Sequence, residues 1–236
     1  MSTISAIYDP LGLISPVTLQ AKALVQRLCR LKIGWDDEIP EEIKQEWQSW
    51  QKTLSFIENI SLRRCFIPNH FEDIKSIQLH IFSDGSEMGY GACAYLRVVD
   101  VEDNVDVSLV LGKSRLAPIK QQSIPRLELS GAVVACRLYR MIAEELEIQF
   151  TQAYFRTDST IVLGYIRNES RRFKTFVGNR LSEIHERTTP DQWHHVGSTS
   201  NPADVASRGI TACDTEKLQF WLKGPNFLFQ DPTQWP

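Results

Sequence analysis

IQLHIFSDGS, residues 77–86, sets apolar Ile77, Leu79 and Ile81 against Gln78, His80 and Phe82, then reaches Asp84 just before a glycine. A two-residue period predicts a strand, and an acid at its carboxyl end stands where sites form in open α/β sheets. YGACAYLRV (90–98) and VDVSLVLGK (105–113) continue in the same style, so three consecutive strands form an antiparallel meander. Gly85 and Gly89 mark the first turn, and the polar stretch VDVEDNVD (99–106) reads as a solvated hairpin tip. Downstream, a helix is predicted from Pro125 to about Glu147, with Leu127, Val134, Leu138 and Ile142 as its core stripe. A strand at AYFRTD (153–158), helices over Ser159–Ile166 and Lys174–Arg187, a strand at QWHHV (192–196) and a last helix after Pro202 follow. Five strands interleaved with helices make an α/β fold.

Upstream of the meander the period is helical. Apolar residues at 17, 19, 24, 25, 28 and 31 predict one helix from Ser15 to about Leu31, with Pro16 suited to its first turn. Ile43, Trp47, Trp50 and Leu54 predict a second over Asp37–Ile57. The two form a small helical subdomain, with a boundary near residue 70 in FIPNHFEDIKS. No internal repeat is visible.

Composition narrows the classes. The 236 residues are 42% hydrophobic and 23% charged, an ordinary globular balance, and a net charge of -3 leaves no global nucleic-acid footprint. The basic residues are clustered instead, as at Arg171, Arg172, Lys174 and Arg180. Cys29, Cys65, Cys93, Cys136 and Cys213 form no CxxC pair, which points away from a zinc site or a disulfide framework and toward a reducing compartment. No apolar run approaches the roughly 20 residues of a membrane span, so no membrane partner is expected.

Four acids stand in short motifs: Asp84 in IFSDGS, Glu128 in SIPRLELSG, Asp158 in FRTDSTIVL and Asp204 in NPADVASRG. Asp84 and Asp158 end neighbouring strands, Glu128 lies near a helix start one turn before Gly131, and Asp204 follows Asn201-Pro202. Each has a plain alternative: Asp158 and Asp204 suit N-caps, Asp84 a turn, and Glu128 a helix-dipole partner. Gathered together they would repel and raise one another's pKa values unless Mg²⁺ or Mn²⁺ neutralised them.

FSDGS, PRLEL, TDS and the NPAD/ASRG stretch, in that order, resemble the four acidic motifs of type 1 ribonuclease H as found in BEL/Pao-type retrotransposon polyproteins. YDPLGLISPVTLQAK resembles the post-palm segment of the reverse transcriptase in such elements, and LKGPNFLFQDPTQWP the stretch before their integrase. The resemblance implies a ribonuclease H-like mixed five-stranded sheet over residues 71–210, a thumb or connection-like segment over 1–70 and a tail toward the integrase over 211–236. It further implies that Asp84, Glu128, Asp158 and Asp204 hold two divalent ions, Mg²⁺ or Mn²⁺, that cleave the RNA strand of an RNA/DNA hybrid. The reverse transcriptase and integrase regions of one polyprotein would be its partners, and the cytoplasm or virus-like particles its location. Gly85, Ser86, Lys113, Arg115, Arg126, Ser159, Asn179 and Arg180 are candidate nucleic-acid contacts. Arg208 is placed to pair with an acid of the cluster, and Phe173 and Phe176 are expected in the core. The loop GSTSNPAD lacks the histidine often found before the last acid, and His195 is read as a strand residue.

Two other readings remain. A non-catalytic connection or nucleic-acid-binding module of a decayed retroelement would share the fold, although connection domains lose their acids and four are present here. An aspartic peptidase would need paired Asp-Thr-Gly or Asp-Ser-Gly loops, and the chain offers only SDGS and TDST.

Overall fold

A computed structural model of the chain describes every residue except 1, 35, 72 and 169–171. Its centre is the meander of β1 (Ile74–Gly85), β2 (Gly89–Asp100) and β3 (Val105–Leu116), paired antiparallel with Ile81 opposite Ala94 and Asp84 opposite Gly91. β4 (Gln152–Thr157) lies parallel to β1, and β5 (Trp193–His195) parallel to β4, giving the order β3-β2-β1-β4-β5. Parallel neighbours need long crossovers, and helices supply them. The long α4 (Ile124–Glu145) lies between β3 and β4 in the chain; α5 (Thr160–Ile166) and α6 (Thr175–His185) lie between β4 and β5.

One face of the sheet presents Leu79, Ile81, Ala92, Ala94, Leu96 and Phe155 to Leu129, Val133, Cys136 and Ile142 of α4. Small residues there let the helix approach closely. At Gly131 an added Cβ would stand 2.5 Å from the Asp84 carbonyl oxygen, so only glycine permits that contact.

The alternation in β1 suggests that the opposite face meets water, but His80 and Phe82 are both 0% exposed. The cover comes from distant segments. α2 (Ser15–Arg30) and α7 (Ala203–Arg208) pack there with α8 (Thr215–Lys223), Phe227 and Leu228 over Phe82, Cys93, Tyr95, Val107 and Leu109. A further helix thus follows the one after Pro202: Asp214 caps α8 by accepting from Lys217 N at 3.2 Å, and Gly224 at φ +79° ends it. Trp221 of α8 is fully buried and donates its Nε1–H to the Leu13 carbonyl at 2.8 Å.

Two buried arginines fasten the last residues. Arg97 donates from Nε to the Leu228 carbonyl at 2.7 Å and from Nη2 to the Gln230 carbonyl at 3.1 Å. The Arg156 guanidinium lies 5.1–5.7 Å from the ring centroids of Phe82, Tyr154, Phe227 and Trp235. Aromatic faces thereby stand in for a carboxylate partner. Its Nη1 meets His80 Nδ1 at 2.7 Å, and burial, then Arg156, hold the His80 pKa well below the usual histidine value.

At the amino end a helical turn, α1 (Ser2–Ala6), precedes α2, and α3 (Glu41–Thr53) joins α2 through Trp50 Nε1, which donates to the Val17 carbonyl at 3.0 Å. α3 starts at Glu41 rather than Asp37 because Pro40 restrains the residue before it from helical geometry. Its chain continues as a 3₁₀ segment, Leu54–Asn59.

Candidate active site

Four elements deliver the four acids to one edge of the sheet. β1 ends with buried Asp84 and then Gly85, where a Cβ would stand 2.4 Å from the backbone nitrogen of Glu128. The end of β1 and the start of α4 therefore touch backbone to backbone. Glu128 Oε2 accepts from the Ser159 hydroxyl at 2.7 Å, and that hydroxyl oxygen accepts in turn from Val162 N at 3.2 Å. Asp158, just past β4, accepts from the Ser198 hydroxyl at 2.7 Å and from Asn201 Nδ2 at 3.4 Å. Fully buried Asn201 also donates to the Ser83 carbonyl at 3.2 Å and accepts from Ala203 N at 3.1 Å, tying β1, the residue after β4 and α7 together. On α7, Ser207 donates its hydroxyl to Asp84 Oδ2, and Arg208 pairs with Asp204.

This arrangement decides the capping question. Ser159 caps α5, and Pro202 with Asn201 starts α7, so neither Asp158 nor Asp204 occupies an N-cap position. Asp84 is a strand residue, and Glu128 faces Ser159.

The acids sense one another. Burial raises the Asp84 pKa to about 6, opposed by the Ser207 hydroxyl and the Gly85 N–H and reinforced by Asp158 and Asp204. Burial also raises Glu128, with the Ser159 hydroxyl opposing and Asp158 adding to the rise. Among the described residues the one ion pair made by these acids is Asp204 with Arg208, whose pKa is raised first by Asp204 and further by Asp84 and Asp158.

Hard carboxylate oxygens that disfavour one another's charge match the donor chemistry of Mg²⁺ or Mn²⁺. Among the described residues no three His, Cys, Asp or Glu side chains are set as a ligand group. Each acid is turned instead to a hydroxyl, an amide or a guanidinium. The donor set fits a divalent ion; its present rotamers serve the protein's own donors.

The other sequence-predicted residues are spread over the buried turn, a basic cleft and the exposed surface. Gly85, Ser86 and Ser159 are buried and already engaged: the Ser86 hydroxyl donates to the Ser207 carbonyl at 2.8 Å and accepts from Met88 N and Gly89 N, so it serves the turn and α7 rather than a ligand. Arg115, Asn179 and Arg180 line a cleft of about 190 Å³ with Tyr90, Ser130 and Arg137. Beside it, Arg126 and Arg180 hold their guanidinium carbons 4.9 and 3.5 Å from the ring centroid of Phe176. Phe176, expected in the core, is instead a half-buried platform for two cations, whereas Phe173 packs at 5.2 Å on Tyr165. Lys113 is exposed on β3 near Lys22, His195 is exposed at the end of β5 opposite Thr157, and Arg171 lies outside the described residues. Ser198, Asn201 and Ser207 were missed by reading the acids alone, although Asn201 and Ser207 stand inside the last motif.

The chain matches the family model described as the Pao retrotransposon-like RNaseH-like domain over residues 1–159. A search of the curated proteins finds no match. Solved structures with similarity include the N-terminal RNase H domain of a Mycobacterium tuberculosis protein fused to maltose binding protein, at 14% identity and TM-score 0.38, covering 60% of this chain and 99% of that one. RNase H1 of the halophilic archaeon Halobacterium salinarum follows at 12% identity and TM-score 0.33, with 61% and 97% covered. LC11-RNase H1 in complex with RNA/DNA hybrid shows 11% identity and TM-score 0.33, with 55% and 92% covered. The sheet order and the helices on both faces are those of the ribonuclease H-like fold. The matched residues take in α1, α2 and α3, the whole meander and the first three acids, and stop before Asp204. By that match the chain belongs to the Pao retrotransposon-like RNaseH-like domain family.

Proposed function

We propose that the chain is a metal-dependent endonuclease that hydrolyses the RNA strand of RNA/DNA hybrids in the reverse transcription of a retroelement. The observation that carries this reading is the placement of Asp84: nearly buried, with its pKa raised to about 6, yet facing two further carboxylates. A fold seeking stability alone would not gather these charges.

Asp84, Glu128, Asp158 and Asp204 would hold Mg²⁺ or Mn²⁺, which when bound supplies positive charge to the scissile phosphate and acidifies water. The chain's own residues prepare that place. Ser159 fixes Glu128, Ser198 and Asn201 fix Asp158, and Ser207 fixes Asp84. Arg126 and Arg180, spread over Phe176, offer two guanidiniums to the phosphates of a duplex. In the same reading residues 1–70 follow a reverse transcriptase palm, 71–210 form the nuclease and 211–236 lead toward an integrase, within cytoplasmic particles.

A hybrid labelled on its RNA strand, incubated with the purified chain in Mg²⁺ or Mn²⁺, tests this. Cleavage is expected from the wild type and at least about a hundredfold less from Asp84→Asn, the usual scale for removing a pre-organised charge-stabilising group. Equal rates, or none from either protein with both metals, would refute the catalytic reading and leave a non-catalytic binding module.

A further inference from the structure

The acidic site carries a cation of its own. Arg208 stands four residues after Asp204 on α7, and its Nε meets Asp204 Oδ1 at 2.5 Å. The two neighbours at the end of α7 are held very differently. Ser207 is fully buried with its hydroxyl on Asp84, whereas the Arg208 side chain is 66% exposed and contacts the site through Asp204. Gly209, at φ +70°, ends the helix just beyond, which fixes the backbone of Arg208 and leaves its side chain free to swing into water. The charge of Arg208 reaches Asp84 and Asp158 as well as Asp204. An exposed i,i+4 pair is weak enough for a divalent ion to displace.

We propose, resting on the metal reading above, that Arg208 is a tethered competitor for the Asp204 carboxylate. It holds Asp204 turned to itself while no divalent ion is bound and releases it when one binds. The concentration at which the site loads is thereby set by an internal ion pair. Removing Arg208 acts in one direction, since both the competing bond and a like charge beside the incoming cation disappear. Arg208 is a positioning residue, acting through Asp204.

Mn²⁺ binding to the full chain, followed by electron paramagnetic resonance of the free ion, tests this without any turnover. Arg208→Gln is expected to tighten binding about threefold to tenfold, the range of an exposed pair plus one nearby charge. Arg208→Lys, which keeps the charge, is expected within about twofold of wild type. In an Asp204→Asn background the effect of Arg208→Gln should shrink to a minor part, because the competed ligand is gone. Unchanged or weaker binding by Arg208→Gln overturns the proposal, as does equal tightening with and without Asp204. If the wild type takes up no Mn²⁺, or Asp84→Asn binds it equally well, the metal site itself fails and this inference falls with it. Binding that depends on Asp84 but ignores Arg208 sinks the role of Arg208 alone.

Discussion

Replacing Asp84 by Asn should stabilise the protein at pH 8 in the absence of divalent ions, although it removes a residue central to the proposed chemistry. The native carboxyl titrates at about 6 against an ordinary value of 3.8, because burial outweighs the hydroxyl and N–H it accepts from. A folded pKa above the unfolded one favours the native state fully below pH 3.8, and that advantage is lost as pH rises through 6. The difference of about two units corresponds to roughly 3 kcal/mol at pH 8 and, from the same titration curve, about half that at pH 5. Asn at position 84 keeps an oxygen for the Ser207 hydroxyl and carries no charge at any pH. Urea unfolding of both proteins in chelator, at pH 5 and pH 8, reads the difference directly. For a chain of this length 3 kcal/mol corresponds to about 6–12 °C in Tm, large enough for a thermal melt to confirm. The acid loss caused by His80, held neutral by burial, is common to both proteins and cancels. A stability gap that does not widen between pH 5 and pH 8, or an Asn variant less stable at pH 8, would refute the electrostatic account of this site.

Gly131→Ala should cost about 1–3 kcal/mol in urea unfolding and reduce hybrid cleavage, since the new Cβ meets the backbone oxygen of Asp84, which cannot rotate away. Deleting residues 225–236 should lower stability by at least about 3–6 kcal/mol, the loss of buried Phe227 and Leu228, with Arg97 also deprived of its carbonyl partners; an unchanged melting curve would show that this segment is only a tail. Arg126→Ala and Arg180→Ala should each weaken binding of a hybrid duplex without sequence preference and reduce the magnitude of the salt slope of log Kd by about one, read by fluorescence anisotropy across a salt series.

The strands and most helices were legible because local period and turn residues speak for them. The meander fell where its alternation and glycines placed it. Burial of the second face was not legible. Local alternation does not announce what covers His80 and Phe82: Arg156, Phe227 and Trp235, more than 70 residues away, are folded over them. The signals for α8 were present at Asp214, Leu218, Trp221, Leu222 and Gly224, but a short helix among prolines is easily passed over as a tail. At the site, the acids were readable as types in motifs, whereas the capping choice was settled only by geometry: Ser159 and Asn201 took the roles that local preference offered to Asp158 and Asp204. Phe176 shows the converse, an apolar residue whose neighbours turned out to be two guanidiniums.

The cover of the second face has a bearing on the order in which the protein matures. Trp221 bonds to Leu13 across 208 positions and Ile210 N to the Pro16 carbonyl, so α2 waits, half-covered, for residues made some two hundred positions later. The meander, α4 and the strands after it can form one packed layer earlier, while α7 must still dock to bring Asp204 and Ser207 to Asp84. At ordinary elongation rates the interval between Leu13 and Trp221 is on the order of ten seconds or more, long beside local folding. The acidic edge therefore closes only after the meander and α4 have packed, and a nascent chain presents one packed face before it presents a complete set of four acids.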